Sequence, residues 1–313
     1  MVTWLKRIGV LAVLVLLVSA CSLQKPGSSD SEESKGSEGG SDDTIKVGLS
    51  VSTLNNPFFV TLRDGAQKAA EEAGMELVVT NAQNDASKQL SGVEDLMQQD
   101  IDVLLINPTD SEAVTSAIEI ANNNDVPVIT VDRSADGGEV VTHIASDNVA
   151  GGEMAGKFIA KKLGNSGKIV ELEGVPGASA TRERGKGFHN IVDSKDGLKI
   201  IASQSANFDR TEGLNVMENI IQSTKQIDAV FAHNDEMALG AVQALEAEGM
   251  EDVIVVGFDG TDDGRKAVKD GRMDATIAQQ PTLIGEKAID AAKKVANGKS
   301  VEEFIPVELE MIK

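Results

Sequence analysis

The sequence predicts an α/β protein of two doubly wound parallel-sheet lobes, joined by a hinge, with a ligand in the cleft between them. Three observations carry that expectation. From Ile45 onward, short apolar runs alternate with stretches of helical period, the pattern of parallel sheets with right-handed crossovers and helices on both faces. The alternation passes through two similar series. Their strand ends also match: residues 102–107 close on Asn107 and residues 128–132 on Asp132, while 228–234 close on Asn234 and 253–259 on Asp259, both pairs 25 residues apart. Ligands collect beyond the carboxyl ends of such strands.

The elements follow in order. Residues 45–51 read as the first strand. Asn55-Asn56-Pro57 supplies a cap and a proline at the first helical position, opening a helix to about Ala73 that Gly74 closes. Residues 77–79 form a strand, followed by a helix at 87–98, a strand at 102–107, a helix at 112–123 and a strand at 126–132. The second series starts after about Asp147 with helix 149–163, strand 168–172, helix 179–193, strand 199–205 and helix 210–223. Strand 228–234, helix 236–248 and strand 252–259 continue it. A strand at 274–279, a helix at 284–296 and a strand at 304–309 finish the chain. No Pro/Gly-rich linker marks the boundary near Ser146, so the lobes are expected to be joined closely.

The amino terminus reads as a targeting device. Lys6 and Arg7 precede an apolar run of 11 residues, 8–18, too short for a membrane span of about 20 and suited to a secretory signal. It ends in Val18-Ser19-Ala20-Cys21, which resembles the bacterial lipobox, so residues 1–20 read as a lipoprotein signal peptide and Cys21 as the acylated residue. Cys21 is the one cysteine of the chain, which excludes an intramolecular disulfide. Residues 22–43 are mostly Ser, Gly, Asp and Glu with few apolar side chains. They cannot bury a core and are expected to tether a folded domain to a membrane.

Composition and motifs narrow the function. With 29 basic and 50 acidic residues the formal charge is −21, which repels phosphate and argues against nucleic acid. Gly164-Asn165-Ser166-Gly167-Lys168 lacks phosphate-loop spacing, and no Gly-x-Gly-x-x-Gly follows the first strand. His143, His189 and His233 are scattered without metal spacing, and Asp259-Gly260-Thr261-Asp262-Asp263 lacks the alternation of a calcium loop; Thr261 or Asp262 is expected to cap a helix instead. No cofactor or metal is expected. Asp132 and Asp259 are the carboxylate pair a glycosidase would need, but they stand among amides, aromatics and Arg133, groups that hold a polyol rather than split it.

The aromatic residues point to a sugar. Tyrosine is absent, the one Trp (Trp4) lies in the signal segment, and four of the eight Phe (Phe58, Phe59, Phe208 and Phe258) fall at strand ends or in the loops after them. Phe58 and Phe59 are adjacent at a helix start, so at least one is expected to face the cleft. Flat rings offer a surface for sugar C–H faces, while amides, carboxylates and guanidinium groups satisfy hydroxyls at the rim. Asn107 and Asn234 either join such a rim or cap the helices that follow them.

Ser52-Thr-Leu-Asn-Asn-Pro-Phe-Phe59, Leu105-Ile-Asn-Pro-Thr-Asp110, His143-Ile-Ala-Ser-Asp-Asn148, Arg182-Glu-Arg-Gly185, Asn234-Asp-Glu-Met-Ala-Leu-Gly240 and Val256-Gly-Phe-Asp-Gly-Thr261 together resemble the ribose-type family of periplasmic sugar-binding proteins that serve bacterial ABC importers. The resemblance spans about Thr44 to Val307. It implies a type I periplasmic-binding-protein fold with three hinge crossovers, a first lobe of 44–146 plus 280–308, and a second of 147–279 plus 309–313. It also implies sugar contacts at Asn56, Phe58, Phe59, Asn107, Asp132 and Arg133 from one lobe, and at Arg184, Phe208, Asn234, Phe258, Asp259 and Gln279 from the other. Val175-Pro176 and His233 depart from the family pattern. The implied protein is a monomeric, non-enzymatic, lipid-anchored receptor that captures D-ribose and delivers it to the permease of an ABC importer. Another sugar on the same fold, a repressor-type ligand core or a glycosidase are the alternatives; the lipobox and the lack of a helix-turn-helix before Thr44 oppose the repressor.

Overall fold

The computed structural model describes residues 44–224 and 226–313; the expected signal segment, Cys21 and the expected tether (residues 1–43) lie outside the described residues. The chain begins with β1 (Lys46–Val51), α1 (Pro57–Ala73), β2 (Glu76–Asn81), α2 (Ala86–Met97), β3 (Val103–Ile106), α3 (Thr115–Asn123), β4 (Val128–Val131) and β5 (Thr142–Ala145). It continues through α4 (Asn148–Lys162), β6 (Gly167–Glu173), α5 (Ser179–Val192), β7 (Leu198–Ser205) and α6 (Arg210–Ser223). Then come β8 (Ala229–Ala232), α7 (Asp235–Ala247), β9 (Ile254–Asp259), α8 (Asp262–Lys269) and β10 (Ala275–Ala278), with α9 (Pro281–Ala296), β11 (Phe304–Pro306) and β12 (Glu310–Ile312) last.

Two six-stranded sheets result, in the orders β2-β1-β3-β4-β5-β11 and β7-β6-β8-β9-β10-β12. Every pairing is parallel except β10 with β12. The chain passes between the sheets after β5, after β10 and after β11. Central strands such as β3, β4, β8 and β10 are buried along their whole length, as strands covered by helices on both faces must be. In the first lobe α1 and α9 pack one face around Leu62, Leu49 and Ile284, and α2 and α3 cover the other around Leu96, Leu104 and Ile118. In the second, α6 and α7 cover one face around Met217, Val230 and Met237, and α4 and α5 the other around Ile159, Phe188 and Phe231. The fold class is the one expected.

Local chemistry sets the helix ends. Asn56 caps α1 by accepting from Phe58 N, and Gly74 closes it at φ 68°, a left-handed conformation that glycine takes without a Cβ clash. Asp85, Asp147, Asp209 and Thr261 cap α2, α4, α6 and α8 in the same way, so Thr261 does what its motif suggested. Helices α4 and α5 approach until a Cβ on Gly187 would sit 2.0 Å from Val149 O, and one on Gly152 2.1 Å from Arg184 O. Only glycine allows backbones that close.

Three local expectations are corrected. Thr142–Ala145 forms β5, which periodicity does not reveal because four residues opening on Thr-His show no alternation; Thr130 Oγ1 satisfies His143 Nδ1 at 2.9 Å. The expected strand 304–309 stops at Pro306 as β11, and a second three-residue strand, β12, lies beyond it at Glu310–Ile312 in the other sheet. The helix expected from 112 starts at Thr115, because the Asp110 carboxylate accepts from Glu112 N and Ala113 N and forms a turn first.

Candidate ligand-binding site

Each lobe presents the loops after its central strands to the other. In the first lobe the cap at Asn56 sets Phe58 and Phe59 on the opening turn of α1, with rings 5.2 Å apart and edge to face. Both are buried and both line the space between the lobes. After β3, Asn107 caps no helix. Its Oδ1 accepts from Ser52 N at 3.2 Å, and its Nδ2 donates to Val131 O at 3.0 Å and to Asp132 Oδ2 at 3.2 Å. After β4, Arg133 donates to Pro108 O at 3.1 Å. Its guanidinium carbon lies 5.1 Å from the Phe59 ring centroid and 5.2 Å from that of Phe208 in the opposite lobe, within cation–π range of both.

The second lobe answers with Arg184 on α5. Its Nε donates to Asn148 Oδ1 at 2.9 Å, and its Nη1 donates to His233 O at 2.6 Å and to Asp259 Oδ1 at 3.4 Å. The guanidinium lies over Phe258, 3.8 Å from the ring centroid. Asn234 caps α7 through Met237 N and donates to Phe208 O at 3.2 Å. Gln279 Nε2 donates to Asp259 Oδ1 at 3.0 Å. The equal spacing of the two Asn/Asp pairs thus conceals different wiring: Asn107 grips Asp132 directly, whereas Asp259 is held by Gln279 and Arg184, and Asn234 serves the Phe208 loop.

Asn56, Phe58, Phe59, Asp132, Arg133, Arg184, Phe208 and Asp259 surround a narrow cavity of about 10 Å³, together with Ala180. The other four expected residues stand one contact behind the wall. Asn107 holds Asp132, Asn234 holds the Phe208 backbone, and Phe258 lies under Arg184, while Gln279 holds Asp259 and reaches a wider groove beside the cavity. Ala180 was not foreseen. It sits four residues before Arg184 on α5, so helical spacing from Arg184 was the available signal.

Three wall residues have positive φ: Asp132 at 61°, Phe208 at 59° and Asp259 at 108°. Such backbones cost on the order of 1–3 kcal/mol each and concentrate at functional sites; Phe208, which is bulky, is the clearest case. Asp132 Oδ1, Arg133 Nε and Gln279 Oε1 are buried without a hydrogen-bond partner. Leaving such atoms unpaired costs roughly 1–3 kcal/mol apiece, a cost that a guest pairing them would remove.

Burial dominates the electrostatics. It lowers the Arg133 pKa to about 10, partly offset by Asp132 and reinforced by Arg184, so the group stays cationic at neutral pH. Burial raises Asp259 to about 8; Arg184 opposes the rise and Asp235 adds to it. The lobes touch beyond the cavity as well. Ser111 N donates to Gly177 O at 2.9 Å, Ser134 N to Ser179 Oγ at 2.9 Å, and Arg182 pairs with Asp136 at 2.9 Å. The arrangement can hold a small uncharged polyol: rings for its apolar faces, and carboxylates, guanidinium groups and an amide for its hydroxyls. At about 10 Å³ the cavity in this form has room for no more than about one water, so a polyol needs the two walls to part.

Comparison with known proteins agrees. The periplasmic binding protein domain family matches residues 47–300. The ribose import binding protein RbsB of Bacillus subtilis is 55% identical over 302 residues, 96% of each chain. RbsB of Haemophilus influenzae is 57% identical over 266 residues, 85% of this chain and 90% of its own. The crystal structure of an ABC transporter solute-binding protein from Bacillus halodurans with bound myo-inositol superposes with a TM-score of 0.83 at 33% identity, covering 88% of this chain and 96% of that one. With two parallel-sheet lobes, a polar cavity between them and these relatives, the chain belongs to the periplasmic binding protein family.

Proposed function

We propose that this protein captures D-ribose between its lobes and delivers it to an ABC sugar importer from outside the cytoplasmic membrane. The observation that carries the reading is the small cavity itself, where Asp132 Oδ1 and Arg133 Nε are buried and unpaired among Phe58, Phe59 and Phe208. With the lobes moved apart, a sugar ring would pack between the aromatic faces, and its hydroxyls would supply the missing donors and acceptors. RbsB relatives that align over most of the chain support ribose over other polyols. Nothing in this role is enzymatic: Asp132 accepts from hydroxyls, the Asp259 carboxyl, kept neutral by burial, accepts or donates, and the guanidinium groups donate.

Residues 44–146 with 280–308 would move as one body against 147–279 with 309–313. A ligand that touches both bodies favours the closed form, because only differential contact shifts such an equilibrium. A pentose has about ten heavy atoms, so micromolar affinity, roughly 8 kcal/mol, needs nearly every atom to contribute. An epimer that misplaces one hydroxyl would leave a buried group unpaired. Calorimetry with a panel of pentoses, allose and hexoses tests the ligand. Ribose should bind most tightly; saturation by another sugar, with no heat from ribose, would assign the site elsewhere.

The same reading puts a lipid on Cys21 and an acidic tether behind it, with the receptor acting as a monomer. Cys21→Ala should release the protein from membrane fractions with sugar affinity intact. Retention of the variant on the membrane after signal removal would refute lipidation.

A further inference from the structure

Arg184 lines the cavity, yet its aim is set by a residue that does not. Asn148 is the first residue of α4 and comes directly after the chain crosses from the first sheet to the second. Its side chain is buried. Oδ1 accepts from Arg184 Nε at 2.9 Å, and Nδ2 donates to Glu183 Oε2 at 3.2 Å. The close glycine contact between α4 and α5 brings the two residues together, since Gly152 faces Arg184 O and Gly187 faces Val149 O. With Nε bound to Asn148 and Nη1 to His233 O and Asp259, the guanidinium plane is fixed. Nη2 makes no hydrogen bond to the described residues.

The second crossover repeats the device. Gln279, the last residue before the chain returns to the first lobe, donates to Asp259 at 3.0 Å. Two crossovers therefore each deliver one amide to one member of the buried Arg184–Asp259 pair. Gln279 belongs to the expected sugar contacts, whereas Asn148 belongs to none of them.

We infer that Asn148 is a positioning residue for sugar recognition. It holds Arg184 through Nε and ties that guanidinium to the crossover at 146–148, so that hinge geometry and Arg184 orientation are not independent. The inference rests on the sugar-binding reading of the cavity. A bond from a buried guanidinium to a neutral amide is strong when made and costly when one partner is lost. Replacing Asn148 lets the guanidinium rotate, and ligand hydroxyls then meet a donor that has to be reordered on binding.

Nitrogen-15 NMR of the purified protein without sugar tests the positioning directly. The slowly exchanging Nε–H signal that disappears in Arg184→Lys should shift and lose its protection in Asn148→Ala. Calorimetry with ribose should then show at least a tenfold loss of affinity for Asn148→Ala in the wild-type background and less than a twofold loss in the Arg184→Lys background. The pair Asn148→Asp with Glu183→Gln keeps the acceptor for Nε and reverses the second bond, so it should restore both the signal and the affinity. An unchanged Nε–H signal in Asn148→Ala, or an equal loss of affinity in both backgrounds, overturns the inference. The signal is read without sugar, so failure of the wild type to bind ribose would count against the ligand assignment and not against the role of Asn148.

Discussion

Asp132 and Asp259 each end a buried strand on a positive φ, and each keeps one oxygen tied to an amide, Asn107 or Gln279. The amide fixes the carboxylate while its second oxygen stays available. Asp259 also carries a cost. Its carboxyl is raised from 3.8 to about 8, first by burial, so the folded state binds this proton more tightly than the unfolded chain does. Stability is then greatest below about pH 4 for this group and falls as pH rises toward 8. His189 is raised too: burial lowers it, but Asp193 and Glu171 outweigh burial. It adds a decline of the same sign above its ordinary value, and only the contrast between two proteins isolates Asp259. Melting of the sugar-free protein between pH 5 and 8 should decline more steeply for the wild type than for Asp259→Asn, and the variant should lose sugar affinity. Identical slopes would mean that Asp259 is not held neutral. Which residues gather between the lobes was legible in the sequence through motif resemblance and strand-end position. Their wiring was not: equal Asn-to-Asp spacing gave no hint that Asn234 turns to Met237 N and Phe208 O, because side-chain direction depends on backbone φ, which spacing does not encode.

At the scale of elements, the α4–α5 contact couples packing to the site. Gly187→Ala places a Cβ about 2.0 Å from Val149 O, and no rotamer change relieves a clash with backbone. The helices must separate, at a cost of about 1–3 kcal/mol or more, and the separation draws Asn148 away from Arg184. Denaturant unfolding should show that loss together with weaker sugar binding; a stability change within about 0.5 kcal/mol would mean that the helices yield freely. Strand–helix alternation made most elements legible, since apolar runs such as Val103–Ile106 and caps such as Asn56 are local signals. Elements that depend on distant partners were not. β5 is a strand because β4 and β11 flank it, and β11 and β12 separate because their neighbours lie in different sheets.

The whole molecule is a clamp whose two jaws share one strand order and differ in what they bring to the cavity. Phe58, Phe59, Asp132 and Arg133 meet Arg184, Phe208 and Asp259, and the asymmetry lets one small ligand lie in one orientation. Arg133 meets Phe208 and Ser111 meets Gly177 across the two lobes, contacts that separation of the lobes would break. Small-angle X-ray scattering during a D-ribose titration at neutral pH tests this most directly. The radius of gyration should fall and saturate at one ribose per chain. An unchanged radius at saturating ribose, or contraction with another sugar and none with ribose, would contradict the account.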